Sequence, residues 1–109
     1  MKNFKQENYK NNRNSLRYLI TNPFKEFPSI TIENVFKSKS FIKNKTEKYT
    51  TEGCVLFYEL NIANKVGLVS VLISPDHLMT VKVSYNKLKE IKTREMSEVV
   101  ALIHEVLFT

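Results

Sequence analysis

The fold is decided by residues 54–85, which read CVLFYELNIANKVGLVSVLISPDHLMTVKVSY. Apolar and polar side chains alternate along three segments of this stretch, and a period of two is typical of strands that turn one face to a core. The alternation therefore predicts three consecutive antiparallel strands. Their shared apolar face is predicted to carry Leu56, Tyr58, Leu60, Val69, Val71, Val81 and Val83.

A tight turn at Asn64 and Lys65 sets the predicted register of the first two strands. It keeps apolar side chains together on one face of the sheet, since a slip of one residue would turn every side chain to the other face. The predicted pairs are Ile62 with Gly67, Leu60 with Val69, Tyr58 with Val71, and Leu56 with Ile73.

A loop at residues 74–78 sets the register of the next pair of strands. It reads SPDHL, in which proline presets φ and aspartate can bond its own backbone. A loop of five residues is preferred because a loop of four would put Thr80 and Lys82 into the core. The predicted pairs are Ile73 with Met79, Val71 with Val81, and Val69 with Val83.

The segment after the strands predicts a helix. Residues 94–108 carry apolar side chains at three- and four-residue spacings, and Thr93 is suited to cap their first turn. The resulting apolar stripe is broad enough to cover the sheet. Residues 86–92 fit either a helical turn or the end of a strand.

The segment before the strands is less regular. Residues 1–14 are rich in Asn and Lys and predict a polar arm, followed by a short helix that Asn12 or Asn14 caps and that ends near residue 21. Two strands are predicted between residues 28 and 48, the first around Ile30 and Ile32 and the second, weaker one at Phe41 and Ile42. Residues 43–53 are predicted to form an exposed connection.

These elements predict one α+β domain over residues 15–109, with residues 1–14 as the arm. We expect an antiparallel β-meander of about four to five strands, a short N-terminal helix, and a C-terminal amphipathic helix packed on one face. A chain of 109 residues has the length of one ordinary domain.

Composition narrows the class of protein. No stretch approaches the roughly 18 apolar residues of a membrane span, and the first residues are too polar for a secretory signal. Cys54 is the single cysteine, so a disulfide within the chain is excluded. We therefore expect a cytoplasmic protein that does not bind membranes.

Residues that carry enzymatic chemistry are few and scattered. Cys54 is predicted on the core face and therefore inert, His77 in a solvated loop, and His104 at the edge of the last helix's apolar stripe. Two glycines do not make a phosphate-binding loop, and two separated histidines do not make a zinc site. We expect no catalytic residue, no metal site, no cofactor, no small-molecule substrate and no enzymatic activity.

The positive charge is one-sided. Residues 1–48 carry nine Lys and two Arg against four Glu, a net charge of +7, whereas residues 49–109 have a net charge of −1. A basic surface interleaved with aromatic rings is typical of proteins that bind nucleic-acid backbones. The predicted phosphate contacts are Lys5, Lys10, Arg13, Arg17, Lys37, Lys39, Lys43 and Lys45, and the predicted stacking residues are Tyr18 and Phe41.

The second face of the predicted sheet indicates another function. Val55, Phe57, Leu68 and Leu72 would stand there, opposite the helix-covered core. Packing by the first helix, Phe24 or Phe27 would explain them, and so would contact with a protein partner or a second copy. The alternative hypothesis is therefore a protein-interaction module with Phe57, Leu68 and Leu72 at its interface. Such a module would be a phage- or plasmid-type inhibitor of a host protein, or a small subunit of a larger assembly.

Overall fold

Five antiparallel strands form one sheet, and their order in the sheet is their order along the chain. The computed structural model describes residues 27–108 of the chain. The elements are helix α1 (Pro28–Val35), a short 3-10 helix (Lys39–Phe41), strands β1 (Ile42–Thr50), β2 (Gly53–Ile62), β3 (Lys65–Ile73), β4 (Met79–Ser84) and β5 (Leu88–Thr93), and helix α2 (Met96–Phe108). The predicted α+β fold with an antiparallel meander is confirmed.

The hairpin of β3 and β4 has the predicted register. Val71 lies opposite Val81 and Val69 opposite Val83. The predicted five-residue loop closes the hairpin, with the Ser74 amide donating to the Leu78 carbonyl at 2.9 Å. Proline and aspartate at the loop's centre therefore turn the chain without moving polar side chains into the core.

The hairpin of β2 and β3 differs from its predicted register by two residues. Leu60 lies opposite Gly67, not Val69, because the turn falls at Ala63 and Asn64. Both turn residues have positive φ, 53° and 64°, which suits the twist of a two-residue hairpin. The shift is an even number, so the predicted core side chains of β2 and β3 still face the core.

Both helices cover the same face of the sheet. The sheet contributes Cys54, Leu56, Tyr58, Leu60, Val69, Val71, Ile73, Met79, Val81 and Val83 to the buried core. Helix α2 contributes Val99, Leu102, Ile103, Val106 and Leu107, while Ile32 and Phe36 come from the α1 region. The Thr93 hydroxyl accepts from the Glu95 amide at 2.9 Å, and α2 begins at Met96, two residues later than predicted.

Residues 28–35 form a helix, so the strand predicted there is wrong. Pro28 occupies the first turn, where its missing amide and preset φ favour a helix start. Ile32 and Phe36 are one helical turn apart and both fully buried, whereas Ile30 is 46% exposed. Residues 30–33 alternate between apolar and polar side chains, as a strand would, but the buried side chains Ile32 and Phe36 follow helical spacing.

Residues 42–50 form β1, so most of the predicted exposed connection is a strand. Its side chains are largely polar because β1 is an edge strand, and the sequence therefore lacks an apolar alternation. The ambiguous residues 86–92 mostly belong to β5, which pairs with β4. The predicted arm and first helix lie outside the described residues.

Leucines on the two faces of the sheet should respond differently to truncation. Leu60→Ala empties a fully buried position, and we expect it to lower the free energy of unfolding by about 2–5 kcal/mol. Leu72→Ala is the matched control, because Leu72 is 48% exposed on the other face; we expect a change below about 1 kcal/mol. Urea denaturation followed by circular dichroism measures both, and equal losses would contradict the assignment of the faces.

Candidate binding surfaces

A partly buried ion network connects α1 to the edge of the sheet. Its centre is Glu33 of α1, whose side chain is only 8% exposed. The Tyr58 hydroxyl donates to Glu33 Oε2 at 2.8 Å, and Lys45 Nζ lies 2.6 Å from the same oxygen. Lys45 Nζ also lies 3.1 Å from Glu47 Oε1, so one lysine joins the two carboxylates.

Glu47 is the second carboxylate of this network. The hydroxyls of Ser29 and Tyr49 each donate to Glu47 Oε2 at 2.5 Å. Burial alone would raise the pKa of Glu47, but hydrogen bonds from Ser29, Tyr49 and Lys45 outweigh it and lower the pKa below its usual value. Likewise, burial opposes the charge of Lys45, but hydrogen bonds to Glu33 and Glu47 outweigh burial and raise its pKa. Glu47 and Lys45 are therefore both charged at neutral pH.

This network engages part of the predicted nucleic-acid surface. Lys45, predicted to bind phosphate, bridges Glu33 and Glu47 instead of standing free. The ring of Phe41, predicted to stack on bases, is half-buried and stacks on Phe108 with the centroids 6.4 Å apart. Both side chains therefore have partners within the chain.

Three other predicted phosphate contacts form an exposed surface that we call the basic corner: Lys37, Lys39 and Lys43. Lys37 lies over the Phe108 ring at 4.8 Å. Lys39 and Lys43 are 79% and 61% exposed and make long ion pairs, 3.9 Å to Glu33 and 3.7 Å to Glu59. The remaining predicted contacts, Lys5, Lys10, Arg13, Arg17 and Tyr18, lie outside the described residues.

The predicted protein-interface residues lie on the sheet face opposite the helices, which we call the open face. Val55 of β2 is the cross-strand neighbour of Leu72 of β3, so their side chains adjoin. Fractional exposures are 40% for Val55, 36% for Phe57, 37% for Leu68 and 48% for Leu72. The Phe27 ring packs on Tyr49, which lies opposite Cys54 on the core side, so Phe27 does not lie over the open face.

A groove of about 390 Å³ lies at one end of the open face. Val55, Leu72 and Thr80 line it, together with residues of the turn before β2 and of the loop after β3. The groove is large enough for one apolar side chain of a partner. The open face therefore has a concave end as well as a flat centre.

Lysines surround the apolar centre of the open face. Lys48 of β1 pairs with Val55, Lys82 of β4 with Ser70, and Lys92 of β5 with Thr80. The predicted register of β4 puts Lys82 on this face. The sequence did not place Lys48 or Lys92, because residues 43–53 were predicted to form a connection and residues 86–92 were left open between a helical turn and the end of a strand. Residues 42–50 carry no apolar alternation, so no local signal marked Lys48 as a strand residue.

The groups considered for catalysis lie on three different elements: Cys54 on β2, His77 in the loop after β3, and His104 on α2. Cys54 is buried. Burial is the largest cause that raises the pKa of its thiol to about 12, and the nearby charge of Glu47 also raises it. His77 lies in the loop after β3, while the exposed His104 ring lies 6.2 Å from that of Phe108 on α2. Within residues 27–108, no group of three or more His, Cys, Asp or Glu side chains is placed to hold a metal ion.

The length of the described helices can be compared with the thickness of a membrane. The longer described helix, α2, has 13 residues and extends about 20 Å, shorter than the roughly 30 Å of a bilayer core. In the described part of the chain, no helix is long and apolar enough to span a membrane.

Acid should weaken the ion network through Glu47. Its pKa in the folded chain is below the ordinary value of 4.5, so its contribution to stability is complete above that value and is lost as the pH falls through the folded pKa. We expect Glu47→Gln to reduce the pH dependence of the unfolding free energy between about pH 5 and pH 2. Denaturant titrations across that range measure it.

The matched control for this prediction is Glu52→Gln, which removes an exposed carboxylate from the turn between β1 and β2. It should keep the pH dependence of the parent chain. If Glu47→Gln and Glu52→Gln gave the same curve, the hydrogen bonds from Ser29 and Tyr49 would not stabilise the ionised Glu47.

Comparison with known proteins gives no functional information for this chain. No protein-family model, no curated protein and no solved structure matches it. Inference about function therefore rests on the exposure, contacts and charge of the described residues.

Proposed function

We propose that this chain is a non-enzymatic protein-interaction module that binds a partner protein through the open face. One observation carries the proposal: Val55, Phe57, Leu68 and Leu72 share one face of β2 and β3 and remain 36–48% exposed. Val55 lies directly opposite Leu72, and Phe57 lies diagonal to both leucines. Single exposed apolar residues are normal on protein surfaces, but contiguous ones mark interaction sites. Contact with a partner would remove this apolar area from water.

The strands that carry these side chains support the proposal. β2 and β3 are interior strands of the sheet and pair over nine residues. The other face of both strands packs against the helices in the buried core. Side chains held in this way lose little conformational entropy on binding, and preorganisation of this kind favours affinity.

The groove supplies an anchor point beside the flat centre. Interfaces concentrate their binding energy in a few side chains that enter desolvated pockets. A Leu or Phe of the partner would fill the space above Val55 and Leu72. Partners of this type include a host protein that the module inhibits, the other subunits of an assembly, and a second copy of the chain.

Backbone binding to nucleic acid is the second candidate function. The observation in its favour is the exposure of Lys39 and Lys43 in the basic corner, 79% and 61%. Ion pairs of such exposed side chains are worth little, so both lysines could turn to phosphates. This candidate has less support because Lys45 is held by two carboxylates and Phe41 packs on Phe108.

Substitution on the open face tests the first candidate. We expect the double variant Phe57→Ser, Leu72→Ser to keep its fold, since both side chains are partly exposed, and to bind an identified, purified partner at least about tenfold more weakly. The partner would be identified by co-purification from the native host, with nuclease treatment of half the sample. Calorimetry with the purified components then measures affinity, and circular dichroism checks the fold.

The control double variant is Lys37→Glu, Lys39→Glu, which reverses charge in the basic corner at side chains that contact the Phe108 ring and Glu33 and not the open face. It should bind the protein partner with affinity close to that of the parent. Loss of the complex on nuclease treatment, together with binding that weakens steeply with salt and fails in the lysine variant, would instead favour the nucleic-acid candidate.

A further inference from the structure

The basic side chains of residues 27–108 divide into two groups by their contacts. Carboxylates within 4 Å engage Lys39, Lys43, Lys45, Lys87, Lys89 and Arg94. Lys37 lies over the Phe108 ring, while Lys65 donates to Asn86 Oδ1 at 2.8 Å and lies over the Tyr85 ring. Among the described residues, the three basic side chains outside these contacts are Lys48, Lys82 and Lys92, and all three lie on the open face.

The sheet register arranges two of these lysines around the apolar centre. One row of cross-strand neighbours runs through all five strands: Lys48, Val55, Leu72, Thr80 and Lys92. Neighbouring strands are about 4.8 Å apart, so the two lysine backbones are about 19 Å apart at opposite edges of the sheet. Lys82 stands in the adjacent row, opposite Ser70. Cations therefore flank the apolar pair on both sides.

Carboxylates of the same face do not balance these cations. Glu59 accepts from the Asn44 amide at 2.7 Å and pairs with Lys43 at 3.7 Å, so its charge is already offset. Glu90 lies opposite Lys82 in the register but more than 4 Å from it by closest charged atoms. Glu52 lines the groove at the end of this face but forms no ion pair, so within residues 27–108 no carboxylate lies within 4 Å of Lys48 or Lys92.

We propose that the occupant of the open face is a protein segment that presents an apolar anchor flanked by Asp or Glu side chains. This inference rests on the proposed function and names the chemistry of the partner. A partner that covers Val55 and Leu72 also brings its own rim beside Lys48 and Lys92. Desolvating a lysine without an opposite charge is costly, whereas a carboxylate at the rim offsets that cost and steers the encounter.

The side chains between the lysines favour a protein over nucleic acid. Val55, Leu68 and Leu72 are aliphatic, and Phe57 alone offers a ring. Binding of single strands depends on aromatic rings on which successive bases stack, and aliphatic side chains do not supply that contact. A second copy of the same face is also disfavoured, because it would bring three more lysines toward these three.

Selection from a displayed library of random peptides tests the chemistry of the occupant, with the purified 109-residue chain as the bait. We expect the enriched peptides to carry Asp or Glu on both sides of Leu, Phe or another large apolar residue. The double variant Lys48→Glu, Lys92→Glu should bind a synthetic version of an enriched peptide at least about tenfold more weakly, measured by fluorescence anisotropy.

The control variant is Lys37→Glu, Lys65→Glu. It makes the same change in net charge, and neither lysine contacts a carboxylate in the described structure. Peptide affinity should change less than threefold in this control, and thermal unfolding followed by circular dichroism should show that both double variants keep the parent fold. Equal weakening in both variants would mean that only net charge matters, which would overturn the inference.

The remaining outcomes separate this inference from the proposed function. Enriched peptides without acidic residues, whose binding is lost in Phe57→Ser, Leu72→Ser, would overturn the acidic partner and leave the open face as an interaction site. Failure to enrich any peptide, or peptide binding that Phe57→Ser, Leu72→Ser does not weaken, would overturn both the inference and the proposed function. A fluorescently labelled oligothymidylate that binds the parent, and fails to bind Lys48→Glu, Lys92→Glu, would identify nucleic acid as the occupant and overturn the inference.

Discussion

The alternation of side chains along β2, β3 and β4 is the constraint on which the rest of the structure depends. Each strand sends every second side chain into the layer beneath α1 and α2, and those side chains are almost completely buried. The intervening side chains must then stand on the opposite face, whatever their polarity. The core and the open face therefore both follow from the two-residue period of the strands. A register shift of one residue would exchange the two faces.

In the ion network, Lys45 from the basic half of the chain pairs with the carboxylates of Glu33 and Glu47. A carboxylate as buried as that of Glu33 is costly unless it is paired and fully hydrogen-bonded, and Tyr58 and Lys45 meet both needs. The network positions α1 against the edge of the sheet. It also pairs Lys45 with two carboxylates, so charge counted along the sequence overstates the charge presented to a ligand.

Charge and apolar area coincide on the open face. Lysines elsewhere in residues 27–108 contact carboxylates, an amide oxygen or aromatic rings, whereas Lys48, Lys82 and Lys92 surround exposed aliphatic side chains. An interface with an apolar centre and a charged rim is typical of protein complexes that form and dissociate. The basic corner is a second basic group, in which Lys37 lies near the end of α2 and Lys43 pairs with Glu59.

The sequence by itself determined the α+β class, the core face of β2, β3 and β4, the register of the β3–β4 hairpin, and α2, because these follow from local periodicity and turn chemistry. The same alternation predicted Phe57, Leu68 and Leu72 on one shared face. Only the tertiary structure decided that residues 28–35 are helical, that β1 exists, and that Lys45 is held by Glu33 and Glu47. Those features depend on contacts between residues far apart in the chain, such as the 25 residues that separate Glu33 from Tyr58, and no local pattern encodes such a pairing.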